Sequence, residues 1–302
     1  MPQYRAGDDP STLGCHQGLI AGWRRSAGSL GGHATQARWY STMTLVLIHG
    51  GGTTARFWDR LVPLLPPSTL ALDLPGRAGH PAELASLSVE EEVASVVDDL
   101  LAADLEGAIT LVAHSSGGLV VPGVVAALGG RVRSVVLNAA LVPIEGGRGI
   151  DCMKERHREG LLLALAAAER DGKVITLPGV PENPESFRTS YGGDPLDDDT
   201  LAYVVDPVRC VEDTVHHYLQ PVRWSDVAGV PITYVVNGKD RPIPTDSQEE
   251  MARRLPQPAN VVRIESGHLL PVTAPSVFAR ILAQVEAGTG DLQSDSLVGD
   301  LE

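Results

Sequence analysis

The sequence predicts an α/β fold: a mostly parallel six-stranded sheet with helices on both faces and a helical lid inserted after the fourth strand. Three observations carry this. Six short runs rich in Val, Ile, Leu and Thr are mostly continuous rather than alternating in polarity, as strands covered on both faces are. Helical stretches separate most of them, the pattern left by right-handed crossovers between parallel strands. One interval, residues 142–226, contains no convincing strand and reads as an insertion.

Taken in order, residues 1–42 are rich in Gly, Ser, Arg and His without a sustained period, and read as a poorly ordered extension. Met43 stands directly before the first strong strand and reads as the natural start. Strands follow at 43–49 (MTLVLIH), 69–74 (TLALDL), 109–114 (ITLVAH), 132–138 (VRSVVLN), 231–236 (PITYVV) and 260–265 (NVVRIE). Helices are expected around 89–105, 116–128, 247–254 and 275–286. Within the insertion, CMKERHREGLLLALAAAER and VRCVEDTVHHYLQ read as helices, separated by a Pro/Gly/Asp-rich loop at 177–199. The core is therefore 43–141 with 227–287, the lid 142–226, and residues 288–302 an acidic C-terminal tail.

Composition bounds the partners. The chain is 43% hydrophobic and 21% charged, ordinary for a globular protein with a sizeable core. A formal charge of -14 with no basic stripe argues against nucleic acid. The cysteines Cys15, Cys152 and Cys210 are odd in number and lack metal spacing, so they read as free thiols in a reducing, cytoplasmic setting. No apolar stretch is long enough to span a bilayer, and the N-terminus lacks the order of a secretion signal. A homodimer is left open.

The chemistry begins at ITLVAHSSGGLVV, residues 109–121. A serine at a tight strand-to-helix turn is forced outward, and the residues two before and two after it must be small. Ser115 has Ala113 and Gly117 at those positions; Ser116 would have His114 and Gly118, and an imidazole does not fit there. Ser115 is thus the candidate nucleophile. The Ser116 backbone N–H, unpaired at the helix start, is a candidate oxyanion donor. Pro122 removes a hydrogen bond early in that helix. The glycine run of LIHGGGTTARFWD lets backbone N–H groups approach a ligand, with Gly51 as the second oxyanion donor and Gly52 next in line. Asp240, in VVNGKDRPIP after the fifth strand, can accept the Nδ1–H of a histidine. His268, in RIESGHLLP after the sixth, is the histidine downstream of both at a strand's carboxyl end, where open α/β sheets build sites.

These motifs carry a family resemblance. HGGG, AHSSGG, NGKDRPIP and SGHLLP in this order resemble the α/β-hydrolase superfamily over roughly residues 43–287. The start at the oxyanion strand, LDLPG at 72–76 and the GHLLPVTAP ending resemble its plant-type methyl-ester esterase and hydroxynitrile lyase branch. Ala113 departs from the usual glycine but is small enough for the elbow. The resemblance implies acyl transfer to water, with Ser115 attacking an ester or lactone carbonyl, His268 as base, Asp240 steadying the imidazolium, and Gly51 and Ser116 holding the oxyanion. Gly50, Gly52, His114 and Leu269 are expected to touch substrate. No metal or organic cofactor is required, and the expected partner is a small-molecule ester, not a nucleic acid or a membrane. Activity is expected to rise through about pH 6–7, near the unperturbed histidine value.

Three rivals use the same fold: a hydroxynitrile lyase, a thioesterase or acyltransferase, and a non-catalytic ligand receptor. Gly50 and Leu269 stand where the lyase branch has threonine and lysine, which favours the esterase. Elsewhere, Asp73 and LPGRAGH read as packing beside the oxyanion loop. Phe57 and Trp58 read as anchors of the first helix, His216–His217 as lid positions at least as suited to the surface as to substrate, and Leu161–Leu165 as an apolar lid face.

Overall fold

In the computed structural model, residues 43–105, 107–190 and 192–288 are described. The expected extension at 1–42 and all but residue 288 of the expected tail lie outside them. Six strands form one sheet: β1 (Met43–Ile48), β2 (Thr69–Leu72), β3 (Ala108–His114), β4 (Val132–Asn138), β5 (Ile232–Asn237) and β6 (Asn260–Ile264), ordered β2-β1-β3-β4-β5-β6 with every pairing parallel. Each strand lies within two residues of its expected bounds at either end.

Continuous apolar strands are needed because both faces are covered. On one face Val46, Ile48, Leu111, Val135, Leu137 and Tyr234 pack with Val96, Leu100, Val121, Val124 and Met251. The latter come from helices α1 (Val89–Ala102) and α2 (Val121–Leu128) and, further along the chain, from residues 245–253. On the other face Leu45, Leu47, Val112, Val136, Val235 and Val262 pack with Trp58, Phe278, Ile281 and Leu282. Ser88 starts α1 through a capping box: its Oγ accepts the Glu91 N–H at 3.1 Å while the Glu91 carboxylate accepts the Ser88 N–H at 2.8 Å. Such a cap contributes about 1 kcal/mol.

The insertion between β4 and β5 departs from expectation in two places. Its first helix, α3 (Glu155–Arg170), forms as read, but the 177–199 loop holds α4 (Glu185–Ser190) and the start of α5 (Asp198–Val204). Asp197 caps α5, accepting the Thr200 N–H at 2.7 Å; the acidic run masked a helix start. Conversely, VRCVEDTVHHYLQ is not a helix. Cys210 and Asp213 bridge Thr53 and Leu177 in extended pairs, and only His216–Leu219 makes a single 3-10 turn. The buried Asp213 carboxylate binds backbone N–H groups and so competes with helix formation there.

After β5 come α6 (Thr245–Arg253), then, beyond β6, α7 (Leu270–Thr273) and α8 (Pro275–Glu286). Pro275 opens α8, and Phe278, Ile281, Leu282 and Val285 recur at i, i+3, i+4 and i+7 to make its core stripe. The helix expected at 116–128 is divided: Ser115–Leu119 is a 3-10 turn and α2 begins at Val121. Pro122 therefore sits in the first turn of α2, where its missing N–H has no intrahelical partner to lose.

Candidate active site

The strand order reverses at β1, with β2 on one side and β3 on the other. At such a switch point the loops leave toward opposite faces and open a crevice at the carboxyl edge. Gly50–Gly52 leave β1 there, and Ser115 leaves β3 beside them.

Ser115 has φ +52°, a left-handed conformation that costs a residue with a Cβ about 1–2 kcal/mol. Its surroundings impose it. The Ser115 carbonyl accepts the Leu141 N–H at 2.9 Å. A Cβ on Gly117 would lie 2.5 Å from the His49 carbonyl oxygen, and one on Gly118 would lie 2.7 Å from the Leu141 carbonyl oxygen. The two glycines thus let the turn press against the ends of neighbouring backbone segments, which holds the serine outward. Gly50 lies equally close: a Cβ there would be 2.9 Å from the Ser115 Cβ.

His268 and Asp240 meet. The His268 Nδ1 donates to Asp240 Oδ2 at 2.7 Å with both side chains buried, and Asp240 Oδ1 accepts the Ile243 N–H at 2.8 Å. This leaves Nε2 as the ring nitrogen able to accept a proton. A buried amide relay supports the loop: Asn138 Nδ2 donates to Asn237 Oδ1 at 3.0 Å, and Asn237 Nδ2 donates to the Gly267 carbonyl at 2.9 Å. From the insertion, one Asp194 carboxylate oxygen accepts from Ser266 Oγ, Gly267 N–H and Thr273 Oγ1 at 2.8–2.9 Å. The Gly192 carbonyl accepts the His268 N–H at 2.5 Å.

Ser115, His268, Gly50, Gly51, Gly52, His114 and Leu269 line one cavity of about 850 Å³. Asp240 stands behind His268, outside the lining, and Ser116 is buried beneath it with an Oγ that makes no hydrogen bond. Gly52 is not a donor in waiting, because its N–H is already given to Asp213 Oδ2 at 2.7 Å. His114 donates from Nε2 to the His268 carbonyl at 2.9 Å, and Phe57 stacks on its ring at 4.8 Å between centroids. Burial and the neighbouring His268 hold its pKa well below the ordinary value, so it is neutral. Among the described residues no group of three or more His, Cys, Asp and Glu is placed to hold a metal ion.

A buried ionic cluster fixes the glycine loop after β1 from behind. Arg77 Nη2 lies 2.6 Å from Asp213 Oδ1 with both side chains fully buried, and Arg77 Nε donates to the Thr53 carbonyl. Burial pushes the Asp213 carboxyl up, but Arg77, His217 and two backbone N–H groups outweigh it and hold the pKa low. His49 accepts the Leu74 N–H at Nε2 and donates from Nδ1 to the Gly50 carbonyl; burial and then Arg77 lower it to about 3. His217 pairs with Glu92 at 3.0 Å and is buried rather than on the surface, while its neighbour Tyr218 lines the cavity. Phe57 lines the cavity and Trp58 is core, whereas none of Leu161–Leu165 lines it; Leu162 and Leu163 face solvent. Asp73 accepts the Ala55 N–H at 2.7 Å and so braces the turn after the glycines.

Sequence reasoning missed Asp213, Glu92 and Asp194, and read Arg77, within LPGRAGH, as packing beside the expected oxyanion loop rather than as half of a buried ion pair. Glu92 carried a readable signal: with Val96 and Leu100 it shares one face of α1, so an acid sat in an apolar stripe. Asp213 and Asp194 carried none, since their partners are 161 and 72–79 residues away.

Comparisons with known proteins agree with this architecture. A sequence profile of the Alpha/beta hydrolase family matches residues 45–281. No curated protein matches the chain in sequence. Among solved structures, an extracellular alpha/beta-hydrolase from a Paenibacillus species superposes with a TM-score of 0.68 at 19% identity, covering 80% of this chain and 98% of that one. It is described as sharing structural and functional homology with a tobacco salicylic acid binding protein. A methylesterase from Arabidopsis superposes at 0.61 with 20% identity, covering 82% and 100%. A pyrethroid hydrolase from Sphingobium faniae superposes at 0.60 with 19% identity, covering 82% and 98%.

Proposed function

The chain belongs to the alpha/beta hydrolase family, and from that premise we propose that it is a serine hydrolase cleaving a carboxylic ester or lactone through an acyl-enzyme on Ser115. One observation carries the reading: a serine held at φ +52° faces the same cavity as a histidine whose Nδ1–H is committed to a buried carboxylate. His268 Nε2 takes the Ser115 proton as the hydroxyl attacks, returns it to the leaving alcohol, and then activates water for deacylation. Asp240 fixes the tautomer and stabilises the imidazolium. The Gly51 and Ser116 N–H groups receive the oxyanion, which is consistent with the Gly52 N–H being spent on Asp213. The methyl-ester esterase branch is favoured within the family by the methylesterase and the salicylate-binding-protein-like hydrolase among the structural neighbours. Buried, unpaired Cys152 and Cys210 support a cytoplasmic location, and no helix among the described residues is long and apolar enough to cross a membrane.

Short p-nitrophenyl esters and a fluorophosphonate test this. Turnover with covalent labelling at Ser115, both lost in Ser115→Ala, is the expected result. Turnover that survives Ser115→Ala overturns the assignment.

A further inference from the structure

Three glycines in a row leave the loop after β1 free in φ and ψ unless something outside the run holds it. Two of the three are held by hydrogen bonds. The Gly50 carbonyl accepts from Thr53 Oγ1 and from His49 Nδ1, both at 2.8 Å. The Gly52 N–H is given to Asp213 Oδ2 at 2.7 Å, and the Gly52 carbonyl accepts the Val211 N–H at 2.9 Å. Gly51, between them, neither donates nor accepts a hydrogen bond among the described residues. Its N–H is one of the two that the esterase reading assigns to the oxyanion.

What meets Gly51 is a hydroxyl. A Cβ on Gly51 would run into Tyr218 Oη; the next neighbours of that point, Ser116 Oγ and Asp213 Oδ2, stand at 3.1 and 3.2 Å, and no ring carbon of Tyr218 is nearer. The φ of Gly51 lies outside the left-handed region, so the backbone itself would accept alanine there. The phenol, not the chain conformation, is what excludes a side chain. Tyr218 is firmly seated. Its ring meets that of His217 edge to face at 4.1 Å between centroids, and His217 is paired with Glu92 at 3.0 Å. Just beyond, Gln220 Oε1 accepts the Val89 N–H at 2.8 Å and the Val222 N–H donates to the Gly147 carbonyl at 2.9 Å. Tyr218 also lines the cavity that Ser115 and His268 share.

Resting on the esterase reading, we propose that Tyr218 is a positioning residue: its hydroxyl, seated against Gly51, confines the one glycine of the run that no hydrogen bond holds, and so keeps the Gly51 N–H aimed at the oxyanion. A donor aimed before the reaction stabilises the developing charge without reorganising, whereas one free to swing has to be ordered in each turnover. Gly51 and Tyr218 form a matched pair. The hydroxyl excludes a side chain at 51, and without the hydroxyl the glycine loses its constraint.

Tyr218→Phe, Gly51→Ala and the double variant test the pair. The measurements are kcat and KM on p-nitrophenyl butyrate and the rate of fluorophosphonate labelling at Ser115, with folding checked by thermal melting. Tyr218→Phe is expected to lower kcat and the labelling rate about tenfold with KM nearly unchanged, because the contact acts on the oxyanion donor and not on ground-state binding. Gly51→Ala, whose Cβ collides with the hydroxyl, is expected to lower kcat about 100-fold. In Tyr218→Phe/Gly51→Ala the methyl group takes the vacated space and itself restricts the backbone, so the double variant turns over about tenfold faster than Gly51→Ala alone. A tyrosine that only packs would lower the melting temperature without this rescue of kcat. Wild-type kcat in Tyr218→Phe, a loss confined to KM, or a double variant no faster than Gly51→Ala overturns the proposal. If Gly51→Ala does not fold, the kcat, KM and labelling rate of Tyr218→Phe decide alone. A wild type that neither turns over esters nor labels at Ser115 overturns the esterase reading and the positioning role with it. Wild-type turnover that Tyr218→Phe leaves intact overturns the role alone.

Discussion

Asp213 Oδ2 accepts the backbone N–H of Gly52 at 2.7 Å, tying the insertion to the loop that follows β1 across 161 residues of sequence. The same carboxylate neutralises the buried Arg77. Asp213→Ala therefore strands a buried guanidinium and releases the glycine loop. We expect a loss of about 3–5 kcal/mol in urea unfolding. Arg77→Met/Asp213→Leu recovers most of that stability. Its kcat on a p-nitrophenyl ester stays about 10- to 100-fold down, because the loop has lost its anchor. Wild-type kcat in the double variant would refute the anchoring role.

The strain at Ser115 separates two variants that the proposed mechanism leaves without activity. Glycine populates φ +52° without the Cβ penalty but loses more chain entropy on folding. Ser115→Gly is expected to be more stable than Ser115→Ala by about 1 kcal/mol in thermal or urea unfolding. Equal stability would mean that the elbow relaxes in the absence of the hydroxyl.

Asp194 holds the His268 loop through three donors, so Asp194→Ala frees the backbone beside His268, the proposed base. The expected outcome is a kcat about tenfold lower with KM nearly unchanged, and a smaller loss in Asp194→Asn, which keeps an acceptor oxygen. A change confined to KM would count against positioning.

Stability depends on pH with two opposing limbs. Desolvation pulls the pKa of His217 down, but Glu92 and then Asp213 outweigh it, and the folded value stands above the ordinary 6.5. That contribution is complete below about pH 6.5 and is lost as pH rises through the raised folded value. His49, lowered from 6.5 to about 3, acts in the opposite sense. Its neutral form is favoured by folding, so its contribution is present above 6.5 and is lost as pH falls toward 3. Calorimetric melting against pH should show a fall on both sides, and His217→Gln should flatten the alkaline side. An unchanged alkaline limb in that variant would remove His217 as its source.

The legible parts of the protein were those with local causes. Strands buried on both faces must be continuously apolar, so β1 to β6 could be read to within two residues. The elbow could be read because sterics two residues either side of Ser115 admit only small groups, and the meeting of His268 with Asp240 followed from where their strands end. Illegible parts had distant causes. The helix expected over VRCVEDTVHHYLQ failed because Asp213 answers to Arg77 and Gly52, neither of them near in sequence. The neutrality of His49 and the burial of His217 depend on the same assembly. Asn237 bridges Asn138 to the Gly267 carbonyl beneath His268, with partners 99 and 30 residues away in sequence.

The ion pair joining the core to the insertion limits how this enzyme can diversify. β4 and β5 are hydrogen-bonded neighbours, so the sheet closes whatever connects them, and in outline the connecting segment is an exchangeable cassette. Arg77, however, stays behind with the core. Any replacement cassette has to deliver a carboxylate to the same depth, or the guanidinium must be lost in the same lineage. The root of the cassette and its counter-charge therefore change together or not at all.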